Sequence, residues 1–140
     1  MRQALHHLSI PTRGKGLIEI TEPVRSWVHG QKIATGLLTL FCRHTSASLL
    51  IQENADPDVQ TDLITALRRL APADAGWVHT TEGPDDMPAH IKTMVAGMSL
   101  HVPVVGGELT LGTWQAIYLV EHRARPHRRE IILQFVGHRR

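Results

Sequence analysis

The chain has 140 residues, 42% of them apolar, and a formal net charge of +2, so it is long enough for one domain with its own core. Its single cysteine excludes an internal disulfide. It has neither the roughly 20-residue apolar run of a membrane helix nor the apolar core of a signal peptide, and we therefore expect a cytoplasmic protein without membrane contact.

The first thirty residues predict two strands and a short helix. The alternation of apolar and polar residues indicates a strand over residues 3–10, ended by Pro11, and a second strand over residues 16–20. Thr21 is placed to cap a helix, and Gly30 is placed to end it.

A long apolar stretch and a second helix follow. Residues 36–51 predict a central strand, broken near His44 into a strand pair. Asp56 followed by Pro57 marks a helix start, because aspartate caps helices and proline is tolerated at the first helical position. Apolar residues at helical spacing extend this helix towards Pro72.

The second half predicts one more helix and the rest of a sheet. Asp85 or Asp86 would start the helix and Gly97 would end it, while Gly106 and Gly107 form a hairpin turn. Further strands are predicted over residues 99–105, 108–111, 114–121 and 129–136. The whole chain, 1–140, is therefore expected to be one α+β domain: an antiparallel-rich sheet or sandwich with two or three helices.

The segment around the third helix start carries candidate metal ligands. Asp86 and His90 are four residues apart and share a helix face, and His79 can converge on them if the intervening loop folds back. Histidine with carboxylate suits zinc, manganese or iron. The spacing matches no sharp zinc motif, and the alternative is a capped helix in which Asp86 bonds its own first turn.

The sequence His-Thr-Ser-Ala-Ser at residues 44–48 places polar side chains in a strand expected to be buried. Such groups cost free energy unless they are paired. His44 is either a ligand or proton carrier, or a satisfied core histidine. The nearby Asn54 and Asp56 favour function, since a helix start also attracts anions.

Two later segments offer anion-binding and polar groups. Gly112 before Thr113 allows a bulge whose backbone N–H groups form an anion nest, although an ordinary hairpin explains the pattern nearly as well. Glu121 and Arg123 share one strand face and His122 takes the other. That strand end therefore either emerges into solvent or lines a polar cleft.

Basic residues are concentrated late in the chain. The sequence argues against nucleic acid as a partner, because aromatic residues make up only 4% of the chain and none is interleaved with these arginines. We interpret Arg139 and Arg140 as part of a solvated strand edge. The late arginines are Arg123, Arg125, Arg128, Arg129, Arg139 and Arg140.

Five segments in order resemble the YjbQ-like family, known for secondary thiamine-phosphate synthase activity. They are HTSAS at 44–48, ENADP at 53–57, DDMPAH at 85–90, GTWQ at 112–115 and EHR at 121–123. The resemblance implies an α+β fold assembled as a homotrimer. It also implies a reaction that joins a pyrimidine-methyl diphosphate to a thiazole phosphate and releases pyrophosphate. Ala55 stands where some relatives have cysteine, so no thiol role carries over.

That reaction must stabilise a departing diphosphate, for which a divalent cation, basic side chains and backbone N–H groups are suited. We expect zinc, or magnesium or manganese, held by His44, His79, Asp86 and His90. The catalytic candidates are His44, Asn54, His122 and Arg123. The candidates for the phosphate groups are Gly112, Thr113 and Lys92. The alternatives are a metal-dependent hydrolase of a phosphorylated or heterocyclic small molecule, and a ligand-binding module without catalysis.

Overall fold

The computed structural model describes residues 1–139; Arg140, one of the predicted edge residues, lies outside them. The described residues form eight strands and three helices. Their order is β1 (Arg2–Thr12), β2 (Gly16–Glu19), α1 (Thr21–His29), β3 (Ile33–Cys42), β4 (Ala47–Glu53), α2 (Pro57–Leu70), α3 (Asp86–Ala96), β5 (Ser99–Val105), β6 (Glu108–Leu109), β7 (Gln115–Glu121) and β8 (His127–Arg139).

The strands form two antiparallel sheets, which confirms the predicted α+β class. The five-stranded sheet has the order β1-β8-β3-β5-β6, and the three-stranded sheet has the order β2-β7-β4. In the smaller sheet Ala47 pairs with Glu121 and Glu53 pairs with Gln115. One hydrophobic core draws side chains from both sheets and from α1, so burial of apolar area holds the layers together.

Buried and exposed side chains alternate along the long apolar segment, as the sequence predicts. Leu38, Leu40 and Cys42 of β3 face the core, whereas Leu37 and Phe41 point outwards and are 44% and 45% exposed. The predicted break near His44 is confirmed: β3 ends at Cys42 and β4 begins at Ala47 in the other sheet.

Two local predictions were wrong. Thr21 does not cap α1, because Ile20 occupies the N-cap position and the Thr21 hydroxyl accepts a hydrogen bond from Ile117 N at 2.9 Å. Pro11 does not end β1, which continues to Thr12. An edge strand tolerates proline because one side of its backbone has no ladder partner.

The predicted start of α2 is confirmed, since Asp56 Oδ1 accepts from Asp58 N at 2.9 Å and Pro57 is the first helical residue. Gly106 and Gly107 have φ values of 61° and 78° and close the two-residue turn between β5 and β6. None of the helices within residues 1–139 combines the length and apolar character needed to cross a bilayer.

β3 and β8 approach each other unusually closely at a pair of glycines. A Cβ atom on Gly137 would lie 2.2 Å from Thr35 O, and one on Gly36 would lie 2.2 Å from Val136 O. Both contacts are with backbone, which cannot rotate away. The register irregularity between Ile33 and Thr35 occurs at the same place. The two glycines therefore permit a close approach of the paired strands that side chains would block.

Candidate functional site

Three of the predicted metal ligands converge at the start of α3. Asp86 and His90 lie one helical turn apart on the same face, and the loop before α3 folds back to bring in His79. Asp86 Oδ2 lies 2.7 Å from His79 Nε2 and 3.0 Å from His90 Nε2. The three ligand atoms all lie within 4.8 Å of one another. We call His79, Asp86 and His90 the His–Asp–His group.

The hydrogen bonding of His90 fixes which of its ring nitrogens is free. His90 Nδ1 lies 2.8 Å from the carbonyl oxygen of Thr45, and because a carbonyl only accepts, Nδ1 carries the hydrogen. In a neutral ring Nε2 then presents a lone pair to the Asp86 carboxylate, which is also an acceptor. The contact is favourable only if a proton or a cation lies between the two atoms.

Arg123 and its partners hold Asp86 in place. Arg123 donates to Asp86 Oδ1 at 2.5 Å, to Asp85 Oδ2 at 3.2 Å and to the Glu82 carbonyl at 2.8 Å. Three of its five N–H groups are thus committed to the protein. Asp85 also accepts from Ala124 N at 2.8 Å, so its side chain binds the loop after β7 and does not cap α3.

The electrostatics of this cluster keep Asp86 ionised. Burial acts to raise the pKa of the Asp86 carboxyl, but the His79 hydrogen bond and the positive charges of His90 and Arg123 outweigh it and hold the pKa below its ordinary value. Burial also acts to raise the pKa of the Asp85 carboxyl. The hydrogen bonds from Ala124 N and Arg123 outweigh it, so this pKa is lowered as well.

The donor set of the His–Asp–His group fits a transition-metal ion. Two imidazoles and one carboxylate with an open position are a known zinc arrangement, and imidazole is a poor ligand for magnesium. The His79 and His90 side chains are 39% and 33% exposed, so one side of the group faces solvent. His90 donates its other ring N–H to a carbonyl, the usual support for a metal-binding histidine.

His44 is not brought into this group. Its Nε2 accepts a hydrogen bond from Glu130 N at 2.8 Å, which directs the ring towards β8. Burial lowers the pKa of His44, and the charge of Arg129 lowers it further. Within residues 1–139, the turn that carries His44 contributes to the His–Asp–His group through the Thr45 carbonyl instead.

Asn54, Gly112 and Thr113 lie at the other end of the three-stranded sheet. Asn54 N donates to Trp114 O at 3.1 Å, and Gly112 N donates to the Gln115 side chain. These residues therefore lie just beyond the Glu53–Gln115 pair that ends this side of the sheet. The His–Asp–His group adjoins the opposite end, where Ala47 pairs with Glu121. Seven strand residues separate the two places by about 20 Å, so one chain does not unite them in one pocket.

Behind the site, His122 is buried near the positive charge of Lys92, which is also buried. His122 Nε2 lies 2.8 Å from Ser48 Oγ, and both residues are buried. Burial, assisted by the positive charge of Lys92, lowers the pKa of His122 to about 4. Burial and the nearby Lys15 lower the pKa of Lys92. The end of β7 does not emerge into solvent, because residues 121–123 are all buried. It lines a polar cleft, the second predicted alternative, since Arg123 borders a cavity together with Lys15, Glu82, Asp85 and Arg125.

Sequence reasoning missed two functional placements. The Thr45 carbonyl orients His90, and because it is a backbone group, the residue type in the sequence does not indicate this role. The buried Glu121 accepts from Arg129 and from Thr12, which holds the pKa of Glu121 down although burial acts to raise it. The adjacent charges of Glu121 and Arg123 in an apolar strand were the only sequence signal for these internal ion pairs.

Comparison with known proteins gives one consistent family. The sequence model described as "UPF0047 protein YjbQ-like" matches residues 6–138. The UPF0047 protein sll1880 of Synechocystis is 50% identical over 137 residues, covering 97% of this chain and 93% of that protein. The UPF0047 protein YjbQ of Salmonella typhimurium is 42% identical over 131 residues, covering 93% of this chain and 95% of that protein.

Solved structures show the same fold. A YjbQ/UPF0047 family protein from Clostridium acetobutylicum has a TM-score of 0.87 and 34% identity, covering 94% of this chain and 99% of that one. The conserved hypothetical protein TT1486 from Thermus thermophilus has a TM-score of 0.83 and 35% identity, with the same coverage.

Proposed function

This chain belongs to the YjbQ-like UPF0047 family, and we propose that it is an enzyme in which the His–Asp–His group holds a divalent cation beside a phosphorylated small-molecule substrate. The observation that carries this proposal is the convergence of His79 Nε2, His90 Nε2 and Asp86 Oδ2 within 4.8 Å of one another, with the Thr45 carbonyl fixing the ring hydrogen of His90 on Nδ1. A divalent cation between these atoms would take the place of the shared proton that otherwise joins His90 to Asp86.

The chain's own residues prepare the group for such a cation. Arg123 fixes one oxygen of Asp86 and leaves the other oriented towards the two histidines. Zinc suits this donor set better than magnesium, and manganese is the second choice. When bound, the cation acts as a Lewis acid that offsets negative charge on a phosphoryl oxygen.

For the reaction itself, we propose the secondary thiamine-phosphate synthase activity that the family resemblance implies. The thiazole ring nitrogen donates its lone pair to the pyrimidine-methyl carbon, and the bond from that carbon to the diphosphate oxygen breaks. The leaving pyrophosphate takes the electron pair. The positive side chains beside Asp85 support this choice, since they offset charge that develops on the leaving group.

A metal-dependent hydrolase is the second candidate, and the solvent-facing side of the His–Asp–His group favours it. The two reactions differ in their need for a second substrate. Turnover of a phosphomonoester without the thiazole phosphate would identify the hydrolase. Formation of thiamine phosphate only when both substrates are present would identify the synthase.

The cation proposal is tested by metal content in four proteins: the wild type, Asp86→Asn, His90→Ala and His44→Ala. After dialysis with zinc and removal of the excess, mass spectrometry should find about one zinc per chain in the wild type. Asp86→Asn and His90→Ala should lose at least tenfold in zinc affinity and in product formation. His44→Ala is the matched control, because its ring is bonded to β8. Unchanged zinc in folded Asp86→Asn protein contradicts the proposal.

We also propose the homotrimer that the resemblance implies. The outer face of the five-stranded sheet supports an interface, because Leu5 of β1 and Leu37 and Phe41 of β3 point outwards on that face, around the row of Gln134 and Thr39, and soluble monomers rarely expose large apolar patches. Sedimentation equilibrium should give three times the chain mass of 15.6 kDa. Phe41→Asp should shift the mass towards the monomer, and a monomeric wild type would refute this proposal.

A further inference from the structure

A cavity of about 400 Å³ lies between the C-terminal end of α2, the loop after β1 and the start of α3. It is separate from the His–Asp–His group. The charged residues that line it are Lys15, Arg68, Arg69, Asp74, Asp85 and Lys92. We propose that this cavity, the Lys92 pocket, binds the phosphoryl group of the small-molecule substrate.

Lys92 is the lining residue that most favours an anionic ligand. It is only 6% exposed, and within residues 1–139 it has no hydrogen bond or salt bridge in the structure. Buried charges in proteins are normally paired, yet this ammonium group lines the cavity without a partner. An anion seated in the pocket would provide the missing contact.

The remaining charges make the pocket suitable for a dianion. Asp85 is already paired with Arg123 and bonded to Ala124 N, so its charge offsets that of Lys92 only in part. Asp74 is the one other carboxylate in the lining, against four cationic side chains. Arg68 and Arg69 lie in the last turn of α2, where the helix dipole alone explains basic residues. The dipole does not explain the buried Lys92 from another helix.

The pocket is connected to the proposed metal centre through residues that neighbouring cavities share. A second cavity of about 770 Å³ shares Lys15 and Asp85 with the pocket and extends to Thr81. Thr81 in turn lines a third cavity together with His79. Shared lining residues, Lys15 and Asp85 and then Thr81, therefore link the Lys92 pocket to the cavity that His79 lines. This substrate assignment rests on the proposed function, whereas anion binding at Lys92 stands on its own.

The proposal is tested by calorimetric titration of the full chain with inorganic phosphate at low salt. We expect saturable binding to the wild type and at least tenfold weaker binding to Lys92→Met. Lys15→Met changes an exposed side chain of the same pocket, and it should bind phosphate several-fold more weakly than the wild type does. Lys32→Met is the charge-matched control, because exposed Lys32 lines a different cavity, and it should bind phosphate as the wild type does.

Further arms separate this proposal from the metal proposal and from nucleic acid. Asp86→Asn should keep its phosphate affinity while losing zinc, and Lys92→Met should keep its zinc. A ten-nucleotide single strand should fail to displace phosphate, because the pocket has room for a small molecule only. The proposal is overturned if Lys92→Met and Lys15→Met both bind phosphate as Lys32→Met does, if the wild type shows no saturable binding, or if the oligonucleotide competes equally.

Discussion

Replacement of Arg123 by methionine should destabilise the protein far more than the loss of an ordinary surface charge. Met preserves most of the side-chain volume but removes the donors to Asp85, Asp86 and the Glu82 carbonyl. Asp86 is then left buried and ionised without its guanidinium partner. Breaking one side of a buried ion pair costs about 3–5 kcal/mol, and we expect Arg123→Met to lower the free energy of unfolding by that amount.

The assay is urea unfolding followed by tryptophan fluorescence and circular dichroism at pH 7. Arg43→Met is the matched control, since Arg43 pairs with Glu130 and both side chains are 51% exposed. Exposed pairs contribute about 0–1 kcal/mol. The double variant Arg123→Met with Asp86→Asn should be more stable than the sum of the two single losses predicts. If Arg123→Met costs no more than Arg43→Met, Arg123 does not hold the site together.

Two further predictions concern the core. Gly137→Ala should cost about 3 kcal/mol or more in urea unfolding, because its Cβ would overlap Thr35 O; Gly30→Ala, whose Cβ meets only ordinary contacts, should change stability little, and equal effects would contradict the close approach. The lowered pKa of His122, about 4 against an ordinary 6.5, means that the unfolded chain binds a proton in this range that the folded protein does not. Stability should therefore fall by about 3 kcal/mol between pH 6.5 and pH 4, and His122→Gln should lose that component; parallel pH profiles of the two proteins would refute it.

The elements of the fold were largely predictable because their signals are local. Asp56 with Pro57 specifies a helix start within four residues, and the Gly106–Gly107 pair specifies a turn in the same way. Thr21 shows where local chemistry fails. Its hydroxyl was equally suited to cap α1 and to accept from Ile117, and only the packing of α1 against β7 decides between them.

The site was predictable only where its residues are near in sequence. Asp86 and His90 lie on one helical turn, and the periodicity of a helix was enough to place them together. His44 and Asn54 are both polar residues that flank β4. No local rule indicates that the length of this strand keeps them in different parts of the molecule. Arg123 was predicted to be a catalytic residue, since nothing local shows that Asp85 and Asp86 occupy its donors.

The position of β8 has a consequence for how the chain acquires its structure during synthesis. Residues 127–139 lie between β1 and β3 and pair with both along their lengths, yet they are translated after every other strand. Until they leave the ribosome, β1 has no partner strand in its sheet, and β3 can pair only on its β5 side. A nascent chain of this protein therefore carries β1 unpaired and one hydrogen-bonding edge of β3 open, and these are the segments that a ribosome-associated chaperone would need to shield.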